Sequence, residues 1–383
     1  MGKISAARIN RAISRRALGI IHELKSQVLS IFLDVNVLDS VLSRYFRSTK
    51  NFVTWDYFSF GVDEPYKHQG IVTPNPYLQR KIQSANSEQE QMNPFGSNLA
   101  IVLQGPIIAE GKLTLKIVKN YIARYPDAQI ILSTWESTPT GYLKNFRELH
   151  ELGYLKLILN REPESKSLFN VNHQIKSSVA GLTSALDNQE FAIKTRTDQL
   201  FAGPLFLKHL ETVWNEYGRS PTGTERIVIS SLNTFVFRLY GASDMFQFGK
   251  TKKLIEYWNQ EHDLREKSDI AISSPTLHEE ALKRVAEVYL NTNYFKKCKN
   301  RGAAFDFEES LGFLSEYFVV IDQESVSHRW FKNTHLSNRW SSTKFPDKFY
   351  EISHLDWVEM QKDLTRWLQY RGLMSDENFY HEK

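Results

Sequence analysis

Glu190-Phe-Ala-Ile-Lys-Thr-Arg-Thr-Asp-Gln-Leu200 is the stretch whose reading decides the fold. Phe191 and Ile193 carry β-propensity, and Thr195 and Thr197 are β-branched, so the segment predicts a strand. Side chains alternate across a strand, which puts Lys194, Arg196 and Asp198 on one face and Ile193, Thr195 and Thr197 on the other. A central strand of an α/β sheet is expected to be apolar on both faces. Three charges on one face leave two readings open. The first is an edge strand with a solvated face. The second is a strand end at a cleft, forming a phosphate- or metal-binding corner, because unpaired buried charge costs several kcal/mol per ion.

Working outward, residues 98–190 alternate strand and helix. Leu99–Leu103 is an apolar run ending in Gln104-Gly105-Pro106, a strand and a tight turn. A helix is expected at about 112–124, a second strand at Ala128–Thr134, and a helix from about Pro139, a residue suited to a first helical position. Leu155–Leu159 is a third strand, and Val171, Ile175, Val179 and Leu182 mark a helix over about 170–187. Three βα units followed by the 190–200 strand predict an α/β fold: a mainly parallel sheet flanked by helices. Further on, Arg226–Ser231 and Met245–Phe248 read as strands around a turn at Tyr240-Gly241, and 276–290 reads as a helix.

Ligands of open α/β sheets bind beyond the carboxyl ends of the strands. Polar residues cluster at those ends: Gln104 and Gly105 after the first strand, Ser133 and Thr134 on the second, Asn160 and Arg161 after the third, and Arg196 to Asp198 on the fourth. Together they suggest one nucleotide-sized site. No GxxxxGK[ST], GxGxxG or GxSxG pattern occurs at the expected places, which disfavours P-loop enzymes, dinucleotide oxidoreductases and α/β-hydrolases. A diphosphate is then held by a divalent metal on carboxylates, by Arg and Lys, or by both. Asp198 suits a hard cation, Arg196 a bidentate phosphate contact, and Lys194 lies deeper on the same face. Asp244 and His328 are the candidates for further metal or sugar contacts. The only cysteine, Cys298, sits among lysines that would lower its pKa, but it has no evident base and reads as incidental.

Several strings stand together in a recognisable order: Ala100-Ile-Val-Leu-Gln-Gly-Pro106, Ile131-Leu-Ser-Thr-Trp135, Asn170-Val-Asn-His-Gln174, Lys194-Thr-Arg-Thr-Asp-Gln199, Ser230-Ser-Leu-Asn-Thr-Phe235 and Ser243-Asp-Met-Phe-Gln-Phe-Gly249. Over roughly 98–290 the chain resembles the WavE family of lipopolysaccharide-synthesis proteins. The resemblance implies a glycosyltransferase with a GT-A-like nucleotide-sugar fold. It places Gln104, Gly105, Ser133, Thr134, Asn160 and Arg161 near the base and ribose. Arg196 stands where the Asp-x-Asp motif of such enzymes has its first Asp, so a divalent cofactor, Mn or Mg on Asp198 and His328, stays open. Asn172 and His173 begin a helix, where anions are welcome, and Asn170 suits its N-cap. Catalytic candidates are Asp244, which also fits a turn, and Glu279 and Glu280 as general base. Thr276 to Glu279 equally form a capping box, and Glu280 pairs with Arg284 at helical spacing.

The flanks differ in character. Residues 1–50 hold nine Lys/Arg against three acids, although the whole chain is only +4. Ile9, Ile13, Ala17, Ile20, Leu24 and Val28 give 5–32 a helical stripe with arginines beside it. This helix is expected either to lie on an anionic membrane surface or to pack on the domain. Residues 51–83 are rich in aromatics and proline, and 84–97 read as a linker. In the tail, Trp357, Met360, Leu364, Trp367 and Leu368 keep helical spacing expected of core, whereas Trp330 and Trp340 lie in loop-like sequence. No signal peptide or spanning helix is read. The charge does not gather on the folded domain as it does in nucleic-acid binders. The expected domains are an extension over 1–97, a catalytic domain over 98–335 and a helical tail over 336–383. The expected protein is a cytoplasmic glycosyltransferase, peripheral to the membrane, acting on a nucleotide-sugar donor and a glycan or lipid-linked glycan acceptor. A non-catalytic glycan-binding or scaffold protein, and a sugar-phosphate nucleotidyltransferase, are the alternatives.

Overall fold

The apolar run at the head of the alternation is buried along its whole length and forms β1 (Leu99–Gln104). The computed structural model describes residues 93–165, 167–201, 203, 205–236, 238–265, 285–323, 325–326, 328–331 and 351–370, all within one compact unit. After β1 come α1 (Leu113–Arg124), β2 (Gln129–Trp135), α2 (Thr140–Glu151), β3 (Lys156–Asn160), α3 (Val171–Thr183) and β4 (Phe191–Arg196). Then follow β5 (Gln199–Phe201), α4 (Phe206–Tyr217), β6 (Ile227–Ser230), β7 (Gln247–Lys250), α5 (Thr251–Trp258) and α6 (Ala286–Lys299). The remaining elements are α7 (Phe307–Tyr317), β8 (Phe318–Ile321), β9 (His328–Trp330), α8 (His354–Lys362) and α9 (Leu364–Tyr370).

Among the described residues, seven strands form one sheet in the order β3-β2-β1-β4-β7-β6-β8, and β5 pairs with β9 in a second, small sheet. The pairs β3–β2, β2–β1, β1–β4 and β6–β8 are parallel; β7 runs antiparallel to both β4 and β6. The carboxyl ends of β1, β4, β6 and β8 therefore share one edge with the start of β7. This is the α/β, mainly parallel, helix-flanked sheet expected of a GT-A-like fold.

The alternation along β4 settles its surroundings. Phe191 meets Trp214 of α4 edge-on at 5.4 Å, and Trp214 also meets Phe248, so the odd-numbered face lies under α4. Lys194 lies beneath the Trp258 ring of α5, so the even-numbered face lies under α5. Helix α3 covers the same face over β1 and β2. Gly181 lets it approach: a Cβ there would sit 2.4 Å from Val102 Cγ1. The reading of β4 as an edge strand is thus overturned. It is the middle strand of seven, and Lys194 is wholly buried.

The structure departs from the sequence pattern at several further points. The 190–200 segment is not one strand. It stops at Arg196, and Gln199–Phe201 pairs with β9 instead, because Thr197 and Asp198 spend their polar groups on the neighbouring turn and on β9. Trp330 belongs to that strand rather than to a loop. Asn170 takes the cap position of α3 in a left-handed conformation, but its side chain caps nothing; Ser167 Oγ accepts from Asn172 N instead, at 3.0 Å. Pro139 precedes α2 as its cap residue rather than opening it. Burial pushes the Cys298 thiol up, outweighing the basic neighbours expected to lower it. Trp357, Met360, Trp367 and Leu368 are buried, as their spacing predicts, although Asp363 divides that stretch into α8 and α9. The expected helix at 5–32, the 51–83 region and Trp340 lie outside the described residues.

Candidate active site

The chain leaves β1 toward β2 on one side and returns through α3 to β4 on the other. The crevice between the carboxyl ends of β1 and β4 is therefore the topological switch point, where open α/β sheets take their ligands. Gln104 and Arg196 are register partners at that point. Beyond them Thr197 N donates to Gln104 O at 3.2 Å, and Thr197 Oγ1 donates to Pro106 O at 2.7 Å. Gly105 turns the chain with φ +121°, a conformation side chains rarely adopt, and an added Cβ would lie 3.4 Å from Thr197 Oγ1.

The expected donor-side residues form a neutral, buried hydrogen-bonded group at the strand ends. Gln104 Oε1 accepts from Ser177 Oγ of α3 at 2.9 Å. Asn160 Nδ2 donates to Ser133 Oγ and to Thr134 O, each at 2.8 Å, fastening β3 to β2 at their ends. Gly105 N donates to Ser133 O at 3.1 Å. Thr134 is buried and its Oγ1 has no hydrogen-bond partner among the described residues, while Arg161 is exposed. Asn172 is used otherwise: its amide bonds Asp263 O and N at 2.9 and 2.7 Å, pinning α3 to the segment after α5. His173 packs edge-on against Trp135 at 4.9 Å.

At the end of β4, Arg196 and Asp198 form a fork. Arg196 Nε donates to Asp198 Oδ1 at 2.9 Å, and Nη2 donates to Oδ2 at 3.1 Å. Trp330 Nε1 donates to the same Oδ2 at 3.1 Å, and its ring lies 5.9 Å from the guanidinium carbon. Burial pushes the Asp198 carboxyl up, but the hydrogen bonds and charge of Arg196, joined by Trp330, outweigh it and hold the carboxyl below its ordinary range. The Arg196 side chain keeps 26% of its surface exposed, against 3% for Asp198. Its Nη1 makes no hydrogen bond to the described residues. The outcome is a guanidinium locked along one edge and open along another, a geometry suited to bidentate anion recognition.

Asp198 and His328 are the expected metal pair. His328 stacks on Phe201 at 4.4 Å; neither ring nitrogen has a hydrogen-bond partner among the described residues, and burial pushes the imidazole down to about 3, so it is neutral. A neutral imidazole can ligate. The carboxylate is less suited, since three of its roughly four acceptor positions are taken by N–H groups. A dication bound to it would lie within about 4 Å of the guanidinium. There, two unit charges repel by about 4 kcal/mol at a protein's effective dielectric, and a dication by twice that. No group of three or more His, Cys, Asp or Glu able to hold a metal occurs among the described residues. This donor set does not fit a divalent ion.

A second cluster lies on the other side of β4, where the β6 and β8 ends meet the start of β7. Lys194 Nζ donates to Asp244 O and sits 4.2 Å from the Trp258 ring centroid. Burial lowers the Lys194 pKa to about 7, although nearby Asp244 opposes the shift. The Asp244 carboxylate is buried and accepts no hydrogen bond within the described residues. Burial first and the Glu287 charge second raise its pKa, with Lys194, Arg196 and Arg238 opposing. Glu287 accepts from Asn233 Nδ2 and pairs with Arg238 Nη1 at 3.3 Å, and Arg238 Nη2 returns to Asn233 Oδ1 at 2.9 Å. A carboxylate without a hydrogen-bond partner, buried beside others of opposite and like charge, is the arrangement that tunes an acid or base.

The structure thus brings together Gln104, Gly105, Ser133, Thr134, Asn160, Lys194, Arg196, Asp198, Asp244 and His328 along one edge of the sheet. Glu279 and Glu280 lie outside the described residues. Sequence reading missed Glu287, Asn233 and Arg238. A signal existed for the first: Glu287 and Asn291 are polar positions four apart on a helix that is otherwise buried on that side, and Asn291 Nδ2 reaches Ala242 O at 2.9 Å.

Among solved structures, the chain is similar to S. aureus TarS, with 11% identity and a TM-score of 0.32 over 52% of this chain and 33% of that one; it spans a third of the length of TarS. It is similar to the mannosyltransferase PcManGT from Pyrobaculum calidifontis, solved with GDP-Man and Mn2+, with 12% identity and a TM-score of 0.31 over 62% and 74% of the two chains. Mouse xyloside xylosyltransferase 1 in its apo form gives 12% identity and 0.29 over 59% and 85%. Likeness at this level carries no argument about the site. No curated protein matches the chain. The family description that does match, WavE lipopolysaccharide synthesis, spans residues 99–360, from the first residue of β1 into α8. With more than half of its length matched, the chain belongs to the WavE lipopolysaccharide-synthesis family.

Proposed function

We propose that this protein is a glycosyltransferase of surface-glycan synthesis, moving a sugar from a nucleoside diphosphate sugar to a saccharide or lipid-linked acceptor. The observation that carries the reading is the switch-point crevice with Arg196 oriented at its wall and one guanidinium edge open. A diphosphate is the ligand that such an edge recognises best. The neutral group of Gln104, Gly105, Ser133, Thr134 and Asn160, together with the exposed Arg161, lies on the β1–β3 side and suits the base and ribose.

On the β6–β8 side, Asp244 is the group suited to take the acceptor hydroxyl proton. In that step the acceptor oxygen bonds to the anomeric carbon, the bond from that carbon to the diphosphate breaks with its electron pair leaving on the diphosphate, and the proton passes to Asp244. Glu287, Asn233 and Arg238 are placed to hold sugar hydroxyls nearby. Glu279 and Glu280 remain rival bases.

A thermal-shift panel of UDP-, GDP-, CMP- and ADP-sugars tests the reading. One donor class is expected to raise the melting temperature in proportion to the logarithm of its concentration. No shift and no hydrolysis with any of them would leave a glycan-binding protein without catalysis as the better account.

The described residues include no helix long and apolar enough to cross a membrane. We place the protein in the cytoplasm and assign contact with anionic membrane to the basic residues 1–50. Removing them should abolish binding to anionic vesicles while leaving donor binding intact; unchanged vesicle binding would remove the assignment.

A further inference from the structure

We infer that the donor's diphosphate is held by Arg196 without a divalent cation, Asp198 and Trp330 serving as the brace that aims the guanidinium. The inference rests on the nucleotide-sugar reading above and goes one step beyond it, to the chemistry of the diphosphate site.

Three observations carry it. The first is occupancy. Both Asp198 oxygens are engaged, by Arg196 Nε at 2.9 Å and by Arg196 Nη2 and Trp330 Nε1 at 3.1 Å each. A cation would have to displace these contacts and then sit beside a permanent positive charge. The second is direction. The Asp198 contacts use Nε and one Nη of the guanidinium, and the remaining edge is the one that faces away from the brace. A planar donor fixed on one edge loses little freedom when its other edge takes a phosphate. The third is position. Arg196 ends β4, in register with Gln104 at the end of β1, so the residue stands at the switch point of the sheet, and its guanidinium is also within the field of Asp244 and Glu287. Asp198, by contrast, is buried behind the guanidinium.

The two accounts of Asp198 make opposite demands on substitutions. If Asp198 is a brace, Arg196 dominates binding and Asp198→Asn costs less, since an asparagine still offers an oxygen to Arg196. If Asp198 is a metal ligand, Asp198→Asn abolishes metal-supported binding, and Arg196→Lys, which keeps the charge, is nearly silent.

The test is calorimetric titration of the full chain with UDP, GDP, CDP and ADP, each in EDTA and each in millimolar Mn2+. The tightest nucleotide is expected to bind within about threefold of the same affinity in both media. Arg196→Lys should weaken it about tenfold in EDTA, because a lysine cannot donate in parallel, and Arg196→Ala by about 10- to 100-fold. Arg196→Ala leaves Asp198 without its partner and threatens folding, so Arg196→Lys, checked by its unliganded melting temperature, carries the decision. Binding that appears only with Mn2+, together with a Mn2+ electron paramagnetic resonance signal broadened by the protein–nucleotide complex, would overturn the inference and leave the transferase reading standing. Absence of binding by every nucleotide in both media would overturn both.

Discussion

The two halves of the site are built from different materials. On the β1–β3 side the groups at the strand ends are neutral and satisfy one another: Asn160 with Ser133 and Thr134, Gln104 with Ser177, Gly105 with Ser133. On the β6–β8 side they are charged and only partly paired: Lys194 and Asp244 are buried, and Glu287 and Arg238 are half-buried beside them. Neutral hydrogen bonds inside a fold are worth about 1 kcal/mol each and do not depend on pH near neutrality. Buried charges shift their pKa values and tie stability and reactivity to pH. The contrast suggests a division of labour, in which one half fixes a ligand's position and the other moves a proton. Arg196 stands on the boundary, its charge answered by Asp198 on one edge and free on the other.

The largest effect that would sharpen this contrast is at Asp244. Asp244→Asn should lower transfer by about 10²- to 10⁴-fold, the usual share of a general base, while leaving donor affinity within a few-fold. Because burial and Glu287 raise the Asp244 pKa, wild-type turnover should fall on the acid side at a pH above the ordinary carboxylate range, and the variant should lose that limb. Stability points the same way. A carboxyl whose folded pKa is raised contributes stability at low pH and loses it as pH rises through the folded value. Asparagine resembles the protonated form, so the variant should unfold at no lower denaturant concentration than wild type at neutral pH. A large loss of stability, or an unchanged rate, would break the division and return Glu279 or Glu280 to the role of base.

Lys194 tests the charged half through stability alone. Its folded pKa is about 7 and its unfolded value about 10.5, so between those limits the unfolded chain binds a proton that the folded chain does not. Stability from this group therefore rises with pH across that window, by about 1 kcal/mol per pH unit, and is lost as pH falls back toward 7. Lys194→Met should flatten that slope in urea melts taken between pH 7 and pH 9.5. An unaltered slope would mean that Lys194 remains charged in the fold, paired more closely with Asp244 than its burial allows.

How much of this was legible in the sequence follows from the range of the forces involved. The alternation of apolar runs and helical stripes over 98–190 is a local pattern, and it predicts β1 to β4 and their order of appearance. The charged face of β4 was legible too, since Lys194 and Arg196 share a face whatever lies beneath it. What covers that face was not. Trp258, Asp244 and Glu287 lie 64, 50 and 93 positions further along the chain from Lys194, and only the sheet order brings them near. The break after Arg196 escaped for the same reason. Its cause is Trp330, 132 positions from Asp198, and β-propensity says nothing of such a partner. The left-handed turn before α3, with Phe169 at φ +59° and Asn170 at φ +57°, has no sequence mark at Phe169, where a bulky side chain ordinarily avoids it.

The neutral half should respond more mildly and without a pH signature. Gly105→Ala places a side chain at φ +121°, which costs about 1–3 kcal/mol of backbone strain wherever the space allows it, and sets a Cβ against Thr197 Oγ1. Donor affinity should fall with it, because Thr197 adjoins Arg196. Asn160→Ala is the smaller change. It removes the one amide that bonds both Ser133 Oγ and Thr134 O, so the loss is about 1–2 kcal/mol, with the Ser133 hydroxyl left buried without that donor. The expected loss is the same at pH 6, pH 7.5 and pH 9, since no titrating group takes part. If urea melts of Asn160→Ala instead showed a loss that grew with pH, the neutral group of the donor half would be coupled to the Lys194–Asp244 cluster across β1 and β4, and the two halves would act as a single electrostatic unit.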